Sequence, residues 1–251
     1  MLGNIMLIFG HRGMPSRHVQ ENTLLSFMQA IQAGADGIEF DLRLSKDGEI
    51  VVGHDKNLSR IAGMALKISD LTVKELKALT LRSSGQILTL NEVTEAITSP
   101  IQLDMEIKDS KVVPFLIMKL KTSKQLRDRT IVSSFDVGAL KLLKEQVGDV
   151  RRLILLHTWS TLRGSKELWN QVMDVEPWAV GSRRGSLTKK RMEWLRNKNV
   201  LIAVYDKANS NLATKRIVKR ETDMVITYRP NVAHNLLTKI MNKKINDRVL
   251  G

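Results

Sequence analysis

The feature that most constrains the fold is a repeated alternation of short apolar runs, rich in β-branched residues, with longer stretches of helical periodicity. Parallel strands joined by crossover helices produce this alternation, and eight such units can close into a barrel. The runs predicted as barrel strands cover residues 6–10, 37–44, 101–107, 130–133, 151–156, 179–181, 200–204 and 224–227. The predicted fold class is therefore α/β, a TIM (β/α)8 barrel.

Helical stretches are predicted at residues 22–33 and near 111–123, 136–146, 165–173, 188–198, 210–220 and 231–242. After the second strand, Lys46-Asp47-Gly48 has the composition of a hairpin turn and leads into a short strand at 50–53. Two short helices are expected next, the second starting at Thr89, whose partner Glu92 has capping-box spacing. No linker or low-complexity segment appears. Residues 1–251 are predicted to form one domain with a small insertion after strand two.

Composition narrows the classes of function. The chain has no cysteine, which excludes disulfides and thiolate chemistry. Its apolar N-terminal run ends at Gly10 and is too short for a signal peptide or a membrane span, so we expect a cytoplasmic protein. The net charge of +14 suits nucleic acid, an anionic membrane surface or an anionic small substrate. Basic residues form only short clusters without a basic, aromatic-interleaved helix, so most are expected to be solvated.

Charged and imidazole side chains collect near the predicted strand ends of the first half of the chain. In TIM barrels the groups that perform chemistry lie at the carboxyl ends of the strands. Glu39 and Asp41 are two residues apart on strand two, so their side chains leave the same face. The candidate site residues are His11, Arg12, Glu39, Asp41, His54, Glu106 and Lys108.

The carboxylates among these residues indicate a metal site. Glu39, Asp41 and Glu106 would repel one another in a barrel mouth unless a cation neutralised them. A hard divalent ion prefers oxygen ligands, so we expect one cation, Mg²⁺ or Ca²⁺, and the residue types do not decide between the two. Arg12 and Lys108 would join the metal in offsetting charge on phosphoryl oxygens.

Two histidines supply the proton transfers that cleavage of a phosphodiester needs, one as base and one as acid. His11 and His54 are the candidates. A lone histidine is more often a surface or packing residue, and no role is expected for His18, His157 or His234. Glu39 and Asp41 could also form an ordinary exposed strand face, but unpaired carboxylates are costly on a strand that reads as central.

The order of these motifs resembles the glycerophosphodiester phosphodiesterase family. The resemblance rests on these runs, in chain order: His11-Arg12-Gly13, Glu21-Asn22-Thr23, Gly34-Ala35-Asp36-Gly37-Ile38-Glu39-Phe40-Asp41, Lys46-Asp47-Gly48, His54-Asp55 and Glu106-Ile107-Lys108. Weaker similarities follow at Ser133-Ser134-Phe135-Asp136, Thr222-Asp223 and residues 226–230. The match spans almost the whole chain and is most specific in its first half.

The resemblance implies a TIM barrel and metal-dependent hydrolysis of glycerophosphodiesters to glycerol 3-phosphate and an alcohol. The implied roles are acid/base catalysis by His11 and His54, metal binding by Glu39, Asp41 and Glu106, and phosphate contact by Arg12 and Lys108. It further implies a route in which the glycerol 2-hydroxyl attacks phosphorus and water then opens a cyclic phosphate. Glu21-Asn22-Thr23 is interpreted as supporting structure that starts the first helix and buttresses the His11 loop.

Two departures from the family pattern concern the substrate. Family members often carry a Trp-Thr-Val-Asn-like run on strand seven, where this chain has Ile202-Ala203-Val204-Tyr205. An apolar platform for the glycerol or alcohol group is therefore missing or supplied by another residue. Asp104 stands where Asn is common and is expected to add negative charge near the metal. The sequence therefore does not determine which alcohol group the substrate carries.

Two other functions remain open. A lysophospholipase D would use the same residues on a lipid-bearing diester. The polar segment 83–86 argues against this function, because it offers no apolar groove. The positive net charge argues for it, because it favours weak association with an anionic membrane surface. A non-catalytic polyanion-binding barrel would explain the pI of 10.1 but not the carboxylate cluster. The expected partner is a small-molecule glycerophosphodiester, with no specific nucleic acid, and the sequence does not indicate an oligomeric state.

Overall fold

The computed structural model describes residues 6–98, 100–157, 166–205, 210–220 and 222–249. Eight parallel strands form a closed barrel, because the first strand pairs with both the last strand and the second. The strands are β1 (Leu7–His11), β2 (Gly37–Leu44), β3 (Ile50–Val52), β4 (Gln102–Ile107), β5 (Thr130–Ser134), β6 (Arg151–Leu156), β7 (Ala179–Arg183), β8 (Leu201–Tyr205) and β9 (Met224–Thr227). The predicted TIM barrel is confirmed.

Helices surround the barrel at the predicted positions, with one additional short helix, α6, that was not predicted. They are α1 (Leu24–Gln32), α2 (Ser59–Ala62), α3 (Val73–Lys77), α4 (Leu90–Ala96), α5 (Val113–Thr122), α6 (Lys124–Asp128), α7 (Val137–Gln146), α8 (Lys166–Asp174), α9 (Lys189–Arg196), α10 (Asn211–Val218) and α11 (Pro230–Val249). Helix α1 starts two residues later than predicted, because Asn22 has a φ of 60° and Thr23 caps the helix. Helix α11 continues past the predicted end near residue 242. None of the helices within the described ranges is long and apolar enough to cross a bilayer.

The predicted insertion after strand two is present and has a small core of its own. Strand β3 pairs antiparallel with the end of β2, placing Val52 opposite Leu42. Three short helices, α2, α3 and α4, follow β3 instead of the predicted two. Thr89 and Glu92 form the predicted capping box at the start of α4. The insertion core consists of Val51, Leu58, Ile68, Leu76 and Ile87, all buried.

Alternating side chains of the barrel strands divide the core into two layers. One set faces the helices, and the other set fills the barrel interior. We call Phe9, Ile131, Leu153 and Met224 the apolar plug; these buried side chains fill the barrel towards the amino ends of its strands. Gly37 makes room for Phe9, because a Cβ atom at this position would lie 2.3 Å from the ring. The plug leaves the carboxyl ends of the strands as the end at which a site can form.

Candidate active site

Glu39, Asp41 and Glu106 converge where β2 and β4 leave the barrel. The strand register places Asp41 opposite Glu106 and Glu39 opposite His11. One oxygen atom from each of the three carboxylates lies within 4.8 Å of the others. All three side chains are buried, and Glu39 Oε1 accepts no hydrogen bond from any residue in the described ranges. This set of buried oxygen donors fits a hard divalent cation.

The electrostatics of the cluster agree with that fit. Burial, together with Asp41 and Glu106, raises the pKa of Glu39 well above its ordinary range. Burial and Asp41 also raise the pKa of Glu106 to about 7, against the opposing effect of Lys108. For Asp41 the effect of burial is outweighed by Arg12 and Lys108, and its pKa falls to about 2. A bound divalent cation would favour the ionised forms of both glutamates.

Arg12 and Lys108 border the carboxylates on two sides. Arg12 Nε lies 3.1 Å from Asp41 Oδ2, and Lys108 Nζ donates to Glu106 Oε1 at 2.5 Å. The Arg12 backbone has a φ of 55°, a left-handed conformation that is uncommon for a residue with a side chain. In this conformation its amide donates to Glu39 Oε2 at 2.9 Å. Strained backbone of this kind is typical of functional sites and here directs both an N–H group and a guanidinium at the carboxylates.

His11 and His54 line the same cavity, which has a volume of about 190 Å³. The His11 ring stacks on the Tyr228 ring with 4.3 Å between the ring centroids. His11 Nε2 lies 3.8 Å from Glu39 Oε2. The structure therefore brings together all seven residues predicted for the site: His11, Arg12, Glu39, Asp41, His54, Glu106 and Lys108.

His54 follows β3 and is held by its backbone and by its ring. Its carbonyl accepts two hydrogen bonds from the Arg43 guanidinium, at 2.9 and 2.7 Å. Its Nδ1 atom lies 2.7 Å from Asp55 Oδ1. The carboxylate therefore assigns the proton to Nδ1 and leaves the other ring nitrogen for proton transfer. Burial lowers the pKa of His54, so the ring is neutral and able to accept a proton at neutral pH.

The run Glu21-Asn22-Thr23 was predicted to start α1 and to support the His11 loop, and the structure adds direct contacts of Glu21 and Asn22 with the site residues. Asn22 Nδ2 donates to Asp41 Oδ2 at 2.8 Å. Glu21 Oε1 accepts from the Arg12 guanidinium at 3.0 Å. The positive φ of Asn22 turns its side chain back towards the barrel, and no sequence pattern reports that backbone angle.

Arg60 of α2 joins the two sides of the site and was not predicted. Its Nη2 atom donates to Glu21 Oε1 and its Nε atom to Asp55 Oδ2, both at 2.6 Å. Because Glu21 also holds Arg12 and Asp55 also holds His54, one hydrogen-bonded chain connects the predicted phosphate-binding arginine with the predicted catalytic histidine. The insertion after strand two thus contributes directly to the geometry of the site.

The wall opposite the carboxylates is aromatic. His157, for which no role was expected, stacks on Phe135 with 4.1 Å between the ring centroids and 14° between the ring planes. The Tyr205 ring stands edge-on to Phe135 at 6.0 Å. All three side chains line the cavity, so they supply the apolar surface that the departure on strand seven left unassigned. Their positions at or just beyond the ends of β5, β6 and β8 are the signal that could have identified them.

Asp104 lies fully buried at the floor of the cavity, opposite Glu39 in the strand register. Burial, together with the neighbouring Glu106 and Asp41 carboxyls, raises its pKa to about 8. In the metal-free protein this carboxyl is therefore mostly protonated at pH 7 and adds little negative charge. The sequence-based expectation concerned charge near a bound metal, and for the metal-bound enzyme it stays a prediction.

A closed (β/α)8 barrel that brings acidic, basic and imidazole side chains together at its strand ends defines, as a class, a TIM barrel with its candidate active site at the carboxyl ends of the strands. The sequence matches the glycerophosphoryl diester phosphodiesterase family over residues 11–232. The chain belongs to this family and is an enzyme of it.

Two relatives match this chain along nearly their whole length, and a third matches over a shorter region. A glycerophosphodiester phosphodiesterase of Caldanaerobacter subterraneus subsp. tengcongensis is 29% identical over 245 residues, which cover 93% of this chain and 98% of that protein. The crystal structure of a glycerophosphodiester phosphodiesterase from Thermotoga maritima has a TM-score of 0.76 and 33% identity, covering 92% of this chain and 98% of that one. Lysophospholipase D GDPD1 of Homo sapiens is similar over a shorter region, with 32% identity across 41% of this chain and 37% of its own length.

Proposed function

We propose that this enzyme hydrolyses glycerophosphodiesters to glycerol 3-phosphate and an alcohol with one divalent cation, Mg²⁺ or Ca²⁺, and with His11 and His54 as the acid/base pair. The observation that carries the proposal is the convergence of three buried carboxylates within 4.8 Å of one another beside both histidines. Two relatives matched along nearly their full length are glycerophosphodiester phosphodiesterases, which supports the substrate class.

Glu39, Asp41 and Glu106 would hold the cation. When bound, it would neutralise charge that develops on the phosphoryl oxygens. Arg12 and Lys108 carry positive charge on either side of the same carboxylates and would contact the remaining phosphate oxygens. Asp41 and Glu106 keep Lys108 protonated, because they raise its pKa against the lowering effect of burial.

Two proton transfers complete the reaction. One imidazole removes the proton from the attacking hydroxyl, its oxygen bonds to phosphorus, and the bond from phosphorus to the leaving oxygen breaks. The other imidazole gives its proton to that leaving oxygen, so that the alcohol departs neutral. Following the family resemblance, the glycerol 2-hydroxyl attacks first and water then opens the cyclic phosphate. His54 is neutral at the start because burial lowers its pKa.

The lining of the cavity suits a small headgroup alcohol. The described residues line a cavity of about 190 Å³ that is open to solvent on one side and can hold such an alcohol. Phe135, His157 and Tyr205 form the wall against which that alcohol would lie.

The test is an assay of glycerol 3-phosphate release from the choline, ethanolamine, glycerol and inositol diesters, with added Mg²⁺ or Ca²⁺ and with chelator. We expect chelation to abolish activity and His11→Ala to lower kcat at least about 100-fold, the usual minimum for a lost acid or base. His18→Ala is the matched control, because His18 is exposed, and it should retain full activity.

Two results would contradict the proposal. Activity that is indifferent to chelator would remove the metal from the mechanism. Cleavage of lysophospholipids without cleavage of the deacylated diesters would favour the lysophospholipase D alternative.

A further inference from the structure

The positive charge of the chain is concentrated in one segment. Residues 183–220 contain twelve Lys and Arg against two Asp and Glu, which places a net +10 of the chain's +14 in this stretch. The segment includes the end of β7, helix α9, strand β8 and helix α10. The two helices flank β8 and are therefore neighbours on the outside of the barrel.

Both helices turn their basic residues outward. On α9, Lys189, Lys190 and Arg196 are exposed, whereas Met192 and Leu195 pack inward. This is the pattern of an amphipathic helix whose polar face is basic.

Helix α10 repeats the arrangement. Lys215, Arg216 and Lys219 are exposed, whereas Ile217 and Val218 are buried. We call the six exposed basic residues of the two helices the α9–α10 surface: Lys189, Lys190, Arg196, Lys215, Arg216 and Lys219.

A cleft connects the two helices. Its volume is about 750 Å³; Lys189, Glu193 and Arg196 of α9 line one side, and Lys219 and Arg220, which directly follow α10, line the other. The Arg220 guanidinium donates to the carbonyls of Arg184 and Leu187, each at 2.8 Å, and so ties the end of α10 to the segment before α9. The basic charges of the two helices therefore form one surface.

Lysines of helices α6 and α7 are neutralised by carboxylates, and those of the α9–α10 surface are not. Lys124, Lys141 and Lys144 each pair with a carboxylate at 2.7 to 3.0 Å. Within the described ranges, Lys189, Lys190, Lys215 and Lys219 have no carboxylate at ion-pairing distance. Their charge is available to an external anion.

Apolar side chains are exposed beside these charges. Trp194 of α9 is 37% exposed and lies against Trp169 of α8, with 4.5 Å between the ring centroids. Leu212, at the start of α10, is 57% exposed. Tryptophan and leucine beside a basic helical face are typical of helices that lie on a membrane surface. Binding to nucleic acid would make no use of the exposed leucine.

We propose that the α9–α10 surface binds the anionic headgroups of a phospholipid bilayer, with Trp194 and Leu212 inserted at the interface. The surface contains none of the candidate site residues, so membrane binding and catalysis can be tested separately. Electrostatic attraction contributes about a fivefold gain in partitioning for each lysine near an anionic bilayer.

The test is cosedimentation of the full chain with phosphatidylglycerol–phosphatidylcholine vesicles and with pure phosphatidylcholine vesicles. We expect binding only to the anionic vesicles, weakened by salt. The double variant Lys190→Gln, Lys215→Gln should partition about 30-fold more weakly. The matched control is Lys46→Gln, Lys74→Gln, which removes the same charge from two exposed lysines of the insertion and its turn. Both double variants should hydrolyse a soluble diester like the parent.

Several outcomes would overturn the proposal. One is no binding of the parent to anionic vesicles, and another is an equal loss in the two double variants, which would reflect net charge alone. Tighter binding to mixed-sequence duplex DNA than to the vesicles, lost in the same Lys190, Lys215 variant, would assign the surface to nucleic acid. Brominated lipid should quench the tryptophan fluorescence of the parent more than that of Trp194→Phe, and equal quenching would exclude insertion of Trp194.

Discussion

Asp55 controls the protonation of His54 without being part of the predicted catalytic set. It accepts a hydrogen bond from His54 Nδ1 at 2.7 Å and is itself held by Arg60 at 2.6 Å. Burial lowers the pKa of His54, and the hydrogen bond to Asp55 partly restores it. The residue therefore determines which ring nitrogen carries the proton, and with Asp41 it raises the pKa of the ring against the effect of burial.

Replacing Asp55 by Asn should lower kcat by about two orders of magnitude, because the wrong tautomer of His54 becomes accessible. The acid limb of the kcat/KM profile should move to lower pH, since loss of the carboxylate lowers the pKa of His54 further. Asp70→Asn, at an exposed position, is the control and should change neither quantity. A lower rate with an unshifted pH profile would assign Asp55 a structural role only.

The residues that the sequence predicted differ in kind from those that it missed. His11, Glu39 and Asp41 could be predicted because their types carry the chemistry and their spacing places them on one strand face. His157 and Tyr228 could not, because an aromatic ring reaches the site only if its position beyond the strand end points inward. That depends on strand boundaries, which sequence patterns locate to within a few residues.

At the level of elements, the start of α1 combines a turn with a contact to the site. Asn22 has a φ of 60°, and its side chain donates to Asp41 Oδ2 at 2.8 Å. Thr23 then caps the helix through the Ser26 amide. One residue therefore serves both the geometry of the backbone and the orientation of a candidate metal ligand.

The variants Asn22→Gly and Asn22→Ala separate these two contributions. Both lose the hydrogen bond to Asp41 and should weaken Mg²⁺ binding to the same extent in a calorimetric titration. Only alanine is strained at positive φ, by about 1 kcal/mol, so its unfolding midpoint should lie roughly 2–4 °C below that of the glycine variant. Equal midpoints would show that the left-handed conformation is not retained in the variants.

The barrel strands and the long outer helices were predicted well, and the short helices of the insertion were not. The barrel strands and outer helices were found close to their predicted positions because each buries a continuous apolar face. The insertion has three short helices in place of two, since α2 and α3, of four and five residues, are too short to show a helical period. Their position depends on packing against β3 and the insertion core.

For the whole molecule, the buried carboxyls couple stability to pH. The pKa values of Asp104 and Glu106, about 8 and about 7, exceed their ordinary values of 3.8 and 4.5. The folded state thus binds these protons more tightly than the unfolded state. Their contribution to stability is complete below the ordinary values and is lost as the pH rises through the folded values.

The unfolding midpoint of the metal-free enzyme should therefore fall between pH 5 and pH 8, by roughly 5 °C. Asp104→Asn removes one of the buried titrating groups and should flatten the dependence, whereas Asp70→Asn should leave it unchanged. Saturating Mg²⁺ should raise the midpoint more at pH 8 than at pH 5, since the cation replaces the protons. Calorimetry on the parent and the two variants measures these midpoints. A midpoint that rises with pH in the parent would contradict the prediction.

The apolar plug has a consequence for turnover. The plug closes the barrel towards the amino ends of its strands. Substrate therefore reaches the site from the carboxyl ends of the strands. Both fragments of the cleaved diester must leave by the route through which the intact molecule arrived. The fragment that keeps the phosphate meets the same cationic groups as the incoming substrate, and its accumulation should therefore inhibit the enzyme competitively.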